Sequence, residues 1–111
     1  MLDINFEFIK GVLFVRLDGK INFSNSDNIE KNITSIVSNG GIKYLVLNVI
    51  NLVIEERVSL FDNCYECIKE NKGKMFICGL KTSLDKVISP DYRYCDKINS
   101  ELLALKALNL C

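Results

Sequence analysis

The feature that most constrains this fold is a strand–helix–strand succession over residues 44–80. Residues 44–49 (YLVLNV) form a short apolar run typical of a strand buried on both faces. Apolar residues then recur at helical spacing from Val58, and residues 75–78 (MFIC) form a second apolar run. The succession predicts a right-handed crossover between two parallel strands. Because function in such units concentrates where the strand gives way to the helix, residues 54–60 are the expected centre of a functional site.

Two strands and a helix are predicted before this crossover. Residues 4–8 alternate in polarity and residues 12–17 are apolar, so they predict two strands that the short link makes antiparallel. Residues 18–22 are expected to leave the sheet. Ser24 or Ser26 can then cap a helix. Its predicted apolar stripe comprises Ile29, Ile33, Ile36 and Val37.

Three shorter elements are predicted after the crossover. Thr82 and Asp85 form a plausible capping box for a short helix, and residues 92–95 are expected to form a last short strand. Ser100 is the predicted cap of a final helix, whose apolar face comprises Leu102, Leu103, Leu105, Leu108 and Leu110. The whole order predicts one α/β domain over residues 1–111, with a small mixed sheet of four to five strands and helices packed against it.

Composition excludes several classes of function. Fourteen basic and fourteen acidic residues cancel, which argues against a nucleic-acid partner. No apolar run reaches the ~20 residues of a membrane span, and the first residues do not resemble a signal peptide, so a cytoplasmic protein without membrane insertion is expected. The chain has no histidine, the commonest general base. Its absence argues against most hydrolase triads.

The cysteines offer one competing chemistry. Cys64 and Cys67 match the C-x-x-C spacing of thiol redox proteins. They lie well inside the predicted helix, however, where the helix N-terminus cannot stabilise a thiolate. Cys64 also falls on the predicted core stripe, where a free cysteine acts as a small hydrophobe. A zinc site would need two further ligands, so no metal or cofactor is expected.

Four segments together resemble STAS domains, the bacterial anti-sigma factor antagonists. Residues 11–21 (GVLFVRLDGKI) are similar to their opening strand and turn, and residues 44–49 to their central strand. Residues 71–80 (NKGKMFICGL) resemble the Gly-containing turn with its following strand, and residues 104–108 (ALKAL) the closing helix. The resemblance implies a STAS-like α/β fold. It also implies a non-catalytic interaction domain that binds an anti-sigma factor, a serine kinase, and so regulates sigma factor availability.

The chain departs from this family at the phosphorylated motif. The antagonists carry Asp-Ser-Ser/Thr-Gly between central strand and helix, and their partner kinase phosphorylates a Ser or Thr there. Aligned forward from the central strand, the hydroxyl positions hold Arg57 and Val58; aligned backward from the Gly-containing turn, they hold Glu55 and Glu56. Neither alignment leaves a hydroxyl in place. Ser59 is the nearest one and is therefore the candidate for phosphorylation.

Glu55 and Glu56 allow two interpretations. They can be first-turn carboxylates that complement the helix dipole, each contributing about 0.3–1 kcal/mol. Alternatively, they substitute for the negative charge of the phosphate and hold the domain in one binding state.

The expected partner interface is residues 54–60, with residues 18–24 beside it. Its predicted partner-binding residues are Asp18, Asn22, Glu55, Glu56, Arg57 and Ser59. One alternative is a STAS-like accessory or regulatory subunit, for example of a lipid transporter, without phosphorylation switching. A thiol redox protein is the other. The partner's identity and the oligomeric state stay open.

Overall fold

The computed structural model describes residues 2–110, which form a five-stranded sheet with helices on both faces. The strands are β1 (Asp3–Ile9), β2 (Val12–Ile21), β3 (Tyr44–Ile54), β4 (Lys74–Cys78) and β5 (Cys95–Ile98). The α-helices are α1 (Ser26–Gly40), α2 (Leu60–Glu70) and α3 (Glu101–Ala107), and Leu84–Lys86 forms a 3-10 turn.

The strands lie in the order β1-β2-β3-β4-β5. β1 runs antiparallel to β2, whereas every later pair is parallel, so the sheet is mixed. α1 connects β2 to β3, and α2 connects β3 to β4. The predicted α/β class and mixed sheet are confirmed.

The core lies on both faces of the sheet. α1 and α2 cover the larger face, and the α1 residues Ile29, Ile33 and Val37 are buried against it. α3 covers a smaller cluster on the other face, which consists of Val12, Phe14, Val46, Phe76, Cys78 and Ala104. This double cover explains why the middle of β2 and β3 is a continuous apolar run.

Two strands are longer than the sequence predicts. β3 continues to Ile54 rather than ending at Val49, and β2 continues to Ile21 rather than leaving the sheet at residues 18–22. The two extensions pair with each other, after a register shift at which β3 contributes an extra residue. In the β3 extension Leu52 is buried and Val53 is exposed. The change in polarity after Val49 therefore marks the point where one face of the sheet is no longer covered by a helix. It does not mark the end of the strand.

The N-terminal boundaries of two helical elements also differ from the prediction. The N-cap of α1 is Asn25, not Ser24 or Ser26. Ser83, not Thr82, precedes the 3-10 turn, whose single turn replaces the predicted short helix. Ser100 does cap α3, because its hydroxyl accepts from the backbone N–H of Leu103 at 3.3 Å.

Several side chains predicted to be buried are exposed. Ile36 in α1 is 38% exposed, and Leu102 and Leu103 in α3 are 53% and 42% exposed. The last strand begins at Cys95 instead of spanning residues 92–95. The residues before it pack as rings rather than as a strand, since Tyr65 of α2 stacks on Tyr92 with centroids 3.9 Å apart and lies 6.4 Å from Tyr94.

Candidate functional site

In the loop between β3 and α2, charged side chains are exposed to solvent and one apolar side chain is buried in the core. Glu55, Arg57 and Ser59 are exposed, whereas Val58 is 4% exposed and belongs to the core. A buried apolar residue between exposed polar ones fixes the loop without hiding its polar groups. The expected centre at residues 54–60 is thus accessible to a partner.

Glu55 and Glu56 do not lie in the first turn of α2, so that interpretation is wrong. α2 begins only at Leu60, and the acidic residue in its first turn is Asp62. The Glu55 carboxylate instead accepts from Asn22 Nδ2 at 2.9 Å, and the Glu56 carboxylate accepts from the backbone N–H of Phe23 at 3.2 Å. The two carboxylates therefore join the β3–α2 loop to the β2–α1 loop.

The β2–α1 loop is held by asparagine side chains. Asn22 Oδ1 accepts from the N–H of Ser24 at 3.0 Å, and Asn25 Oδ1 accepts from the N–H of Asn22 at 3.0 Å. Asn25 Nδ2 also donates to the carbonyl of Lys20 at 2.8 Å. These local bonds give the loop a defined shape, as Asn side chains commonly do in turns. The structure thus brings Asn22 beside Glu55, as predicted.

Asp18 lies apart from the other predicted residues. It is paired within the sheet, opposite Asp3 of β1 and Asn51 of β3. It also lines a separate hollow of about 320 Å³. The predicted exit of the chain at this point is wrong, and for that reason Asp18 does not join the loop that carries Asn22.

The carboxylate beside the N-terminus of α2 comes from α1. Glu30 accepts from the Ser59 hydroxyl at 2.9 Å through one oxygen and from Asn63 Nδ2 at 2.9 Å through the other. Ser59 is the N-cap of α2 but makes no side-chain cap to its own helix, so its hydroxyl is available to Glu30. No local sequence pattern identifies Glu30, because 29 residues separate it from Ser59.

Arg57 connects the loop to the segment after β4. Its Nη1 donates to the carbonyl of Asp85 at 2.9 Å, and its Nη2 lies 3.9 Å from Asp62 Oδ2. Asp62 in turn accepts from the N–H of Ser89 at 2.9 Å. With about half of the Arg57 side chain exposed, the ion pair contributes little to stability, and the guanidinium stays accessible.

An open groove of about 400 Å³ lies beside this loop. Its apolar lining comprises Val49, Leu52, Val53, Ile54, Leu80 and Val87. Charged residues from both sides complete it, namely Glu55, Glu56, Arg57, Lys81 and Lys86. An apolar surface with charged borders is suited to binding a peptide segment or another protein surface.

The geometry of the cysteines opposes the thiol redox alternative. Cys64 is fully buried, and this burial raises its pKa well above the usual range of a thiol. A raised pKa disfavours the thiolate that redox chemistry requires. Cys67 is half-buried, and its sulfur accepts from the Ser38 hydroxyl at 3.6 Å. Cys111 lies outside the described residues.

Two kinds of feature are absent from residues 2–110. No group of three or more potential ligands is placed to hold a metal ion. None of the described helices has the length and apolar character needed to cross a membrane.

Comparison with known proteins supports the resemblance seen in the sequence. The STAS domain family model matches residues 3–89. Among solved structures, the anti-sigma factor antagonist SpoIIAA in its unphosphorylated form has a TM-score of 0.76 at 14% identity, covering 96% of this chain and 98% of that one. The phosphorylated form of SpoIIAA from Bacillus has a TM-score of 0.72 at 14% identity, covering 96% and 99%.

An anti-sigma factor antagonist from Mycobacterium paratuberculosis has a TM-score of 0.74 at 18% identity, covering 98% of this chain and 95% of that one. At these identities the structural likeness shows the fold, and the family match covers most of the chain. This chain therefore belongs to the STAS domain family.

Proposed function

We propose that this STAS domain is a non-catalytic interaction module that binds an anti-sigma factor of the serine kinase type and thereby regulates sigma factor availability. The observation that carries the proposal is the exposed, charged loop at residues 54–60, presented at the edge of a groove on an antagonist-like fold. The solved structures compared above, SpoIIAA and the protein from Mycobacterium paratuberculosis, are anti-sigma factor antagonists.

The loop is ordered before any partner arrives. Glu55 and Glu56 are bonded to the β2–α1 loop, and Arg57 is bonded to the carbonyl of Asp85. Side chains that are already held lose less conformational entropy on binding, so a prearranged surface binds more tightly than a mobile one. We propose Asn22, Glu55, Glu56, Arg57 and Ser59 as the partner-binding residues and leave out Asp18, which lies apart from them.

A second candidate function is a STAS-like accessory or regulatory subunit without phosphorylation switching, such as a subunit of a lipid transporter. The contact between Ser59 and Glu30 favours it, since a phosphate on Ser59 would lie against a carboxylate. In this candidate Glu30, rather than Glu55 or Glu56, supplies fixed negative charge beside the start of α2.

Titration of the purified chain against candidate anti-sigma factor kinases tests the main proposal. Arg57→Glu is expected to weaken binding by about tenfold or more, because it reverses a charge in the interface. The affinity of Arg57→Lys should lie between those of the wild-type chain and Arg57→Glu. Lys31→Glu, an exposed charge reversal on α1, is the matched control and should change little. Equal binding by the wild-type chain and the three variants would show that the interface lies elsewhere on the protein.

A further inference from the structure

We propose that the free edge of β3 at residues 51–54 is a second docking site, which takes an extended, acidic segment of a partner protein as an added strand. This edge strand adjoins the charged loop, and residues of both line the same groove. The proposal does not depend on the identity of the anti-sigma factor, because it concerns the backbone of β3.

The edge is free because β4 is shorter than β3. β4 pairs only with residues 44–48 of β3, whereas β2 pairs with β3 as far as Ile54. The chain turns away at Gly79, whose φ is +82° and where any side chain would collide with Ile50. Within the described residues, no backbone hydrogen bond joins residues 49–54 to residues 80–82 across the groove.

The direction of the free backbone groups follows from one hydrogen bond. The N–H of Glu55 donates to the carbonyl of Ile21 in β2 at 3.0 Å, so the backbone of Glu55 faces β2. Backbone groups alternate in direction along a strand, and Leu52 and Ile54 therefore direct theirs away from β2, toward the groove. They can pair with an incoming strand, as in other cases of strand addition to a sheet edge.

The sequence of this edge lacks the usual protection. Natural edge strands are commonly guarded by charged residues, proline or extreme shortness. Residues 49–54 (VINLVI) contain no charge, proline or glycine, and four of the six are β-branched. Ile50 and Val53 are 44% and 55% exposed. An uncharged segment of high β propensity is a template for pairing with another strand.

The groove offers space for that strand. Its volume of about 400 Å³ lies between the β3 edge and the segment around Leu80 and Lys81. This volume falls within the range of about 300–1,000 Å³ that is common for binding pockets. Since successive side chains of a strand point to opposite faces, every second side chain of the incoming segment would pack toward Leu80 and Val87.

Charge selects an acidic segment. Lys81 and Lys86 line the wall opposite the β3 edge, are exposed, and form no ion pair with any described residue. Arg57 adds a third cation where the groove meets the loop. The lining also holds the carboxylates Glu55 and Glu56, so that its cations outnumber its carboxylates by three to two. The β3 edge of a second copy is uncharged and would offer no acidic side chains to these lysines, which disfavours it as the occupant.

Selection of random heptapeptides on the immobilised full chain tests the proposal. The expected outcome is enrichment of peptides that alternate β-branched residues with Asp or Glu. The best peptide is then measured against the wild-type chain, Val53→Glu, the double variant Lys81→Glu/Lys86→Glu, and the control Lys31→Glu. All substituted side chains are exposed, so thermal unfolding should show that each variant is folded.

Affinity is expected to fall about tenfold or more in Val53→Glu and in the double variant, because each places negative charge beside the acidic peptide, and to stay unchanged in the control. Peptides N-methylated at alternate amides add a backbone test. One alternate set should abolish binding and the other should not, because only one set of N–H groups faces β3. The proposal is overturned if nothing is enriched, if the variants bind equally, or if both methylated sets behave alike.

Discussion

Arg16 in β2 and Glu101 at the start of α3 are joined by two parallel hydrogen bonds, each 2.8 Å long. Glu101 also accepts from Asn48 Nδ2 of β3 at 2.8 Å. Bidentate pairs of this kind are among the stronger polar interactions in proteins. This one fixes the short helix α3 over the smaller core cluster, which includes Cys78.

Glu101→Gln should loosen α3. The amide keeps the shape of the side chain but loses the charge and cannot accept both bonds from Arg16. We expect the free energy of unfolding to fall by about 1–3 kcal/mol. Alkylation of Cys78, which α3 covers, should become faster. Urea denaturation and mapping of the modified thiols measure the two effects. Glu70→Gln, at an exposed position near the end of α2, is the control, and an equal effect there would contradict the assignment.

The same pair predicts a pH dependence. The hydrogen bonds from Arg16, and then that from Asn48, lower the pKa of Glu101 against the opposing effect of burial. A carboxyl whose pKa is lower in the folded state stabilises the protein above its unfolded pKa of about 4.3, and loses this contribution as the pH falls through the folded value. The stability advantage of wild type over Glu101→Gln should therefore be full at neutral pH and shrink below about pH 4. Denaturation curves of both proteins from neutral pH to below about pH 4 test this prediction. A difference in the free energy of unfolding that does not change with pH would be inconsistent with a stabilising charge on Glu101.

Negative charge at Ser59 should be incompatible with Glu30. Ser59→Glu replaces a hydrogen-bond donor with a second carboxylate and is expected to destabilise the chain. In a Glu30→Ala background that repulsion is absent, so the same substitution should be neutral or stabilising beside the start of α2. A double-mutant cycle on the free energy of unfolding should give a coupling of about 0.5–1 kcal/mol. Strict additivity would show that the two side chains do not interact in solution.

Alanine substitutions at Gly79 and Gly11 distinguish the cost of backbone strain from the cost of a steric collision. Both have φ of +82°, but a Cβ at Gly79 would collide with Ile50, whereas a Cβ at Gly11 meets nothing within 4 Å. Gly11→Ala should cost about 1 kcal/mol through its left-handed backbone alone. Gly79→Ala should cost clearly more, about 2 kcal/mol or above, since packed neighbours must move. Equal losses in urea denaturation would show that Ile50 does not approach Gly79.

The sequence predicts the parts of the fold that short periodic patterns specify. The buried runs of β2, β3 and β4 and three of the four stripe residues of α1 are found where expected, and the STAS resemblance is confirmed. The sequence predicts the ends of strands less well. After Val49 the side chains of β3 alternate between buried and exposed, because α3 covers only part of one face of the sheet. Since β3 reaches Ile54 and α2 starts later than predicted, Glu55 and Glu56 serve the β2–α1 loop instead of the helix.

Contacts between distant residues are outside the reach of such patterns. Glu30 meets Ser59 only because α1 packs beside α2. Residues 92–94 have the composition of a strand, yet Tyr92 and Tyr94 pack around Tyr65. In both cases tertiary packing decides the local structure, and neither partner has a signal near it in the chain.

In the proposed function, residues 54–60, together with the adjoining β2–α1 loop, form the surface that meets an anti-sigma factor. The most direct measurement is cross-saturation NMR on the isotope-labelled chain in complex with an anti-sigma factor kinase. We predict the largest transfer at Glu55, Arg57 and Ser59 and at the neighbouring loop residues Asn22 and Phe23. Transfer confined to α3, or to the outer face of α1, would contradict the claim.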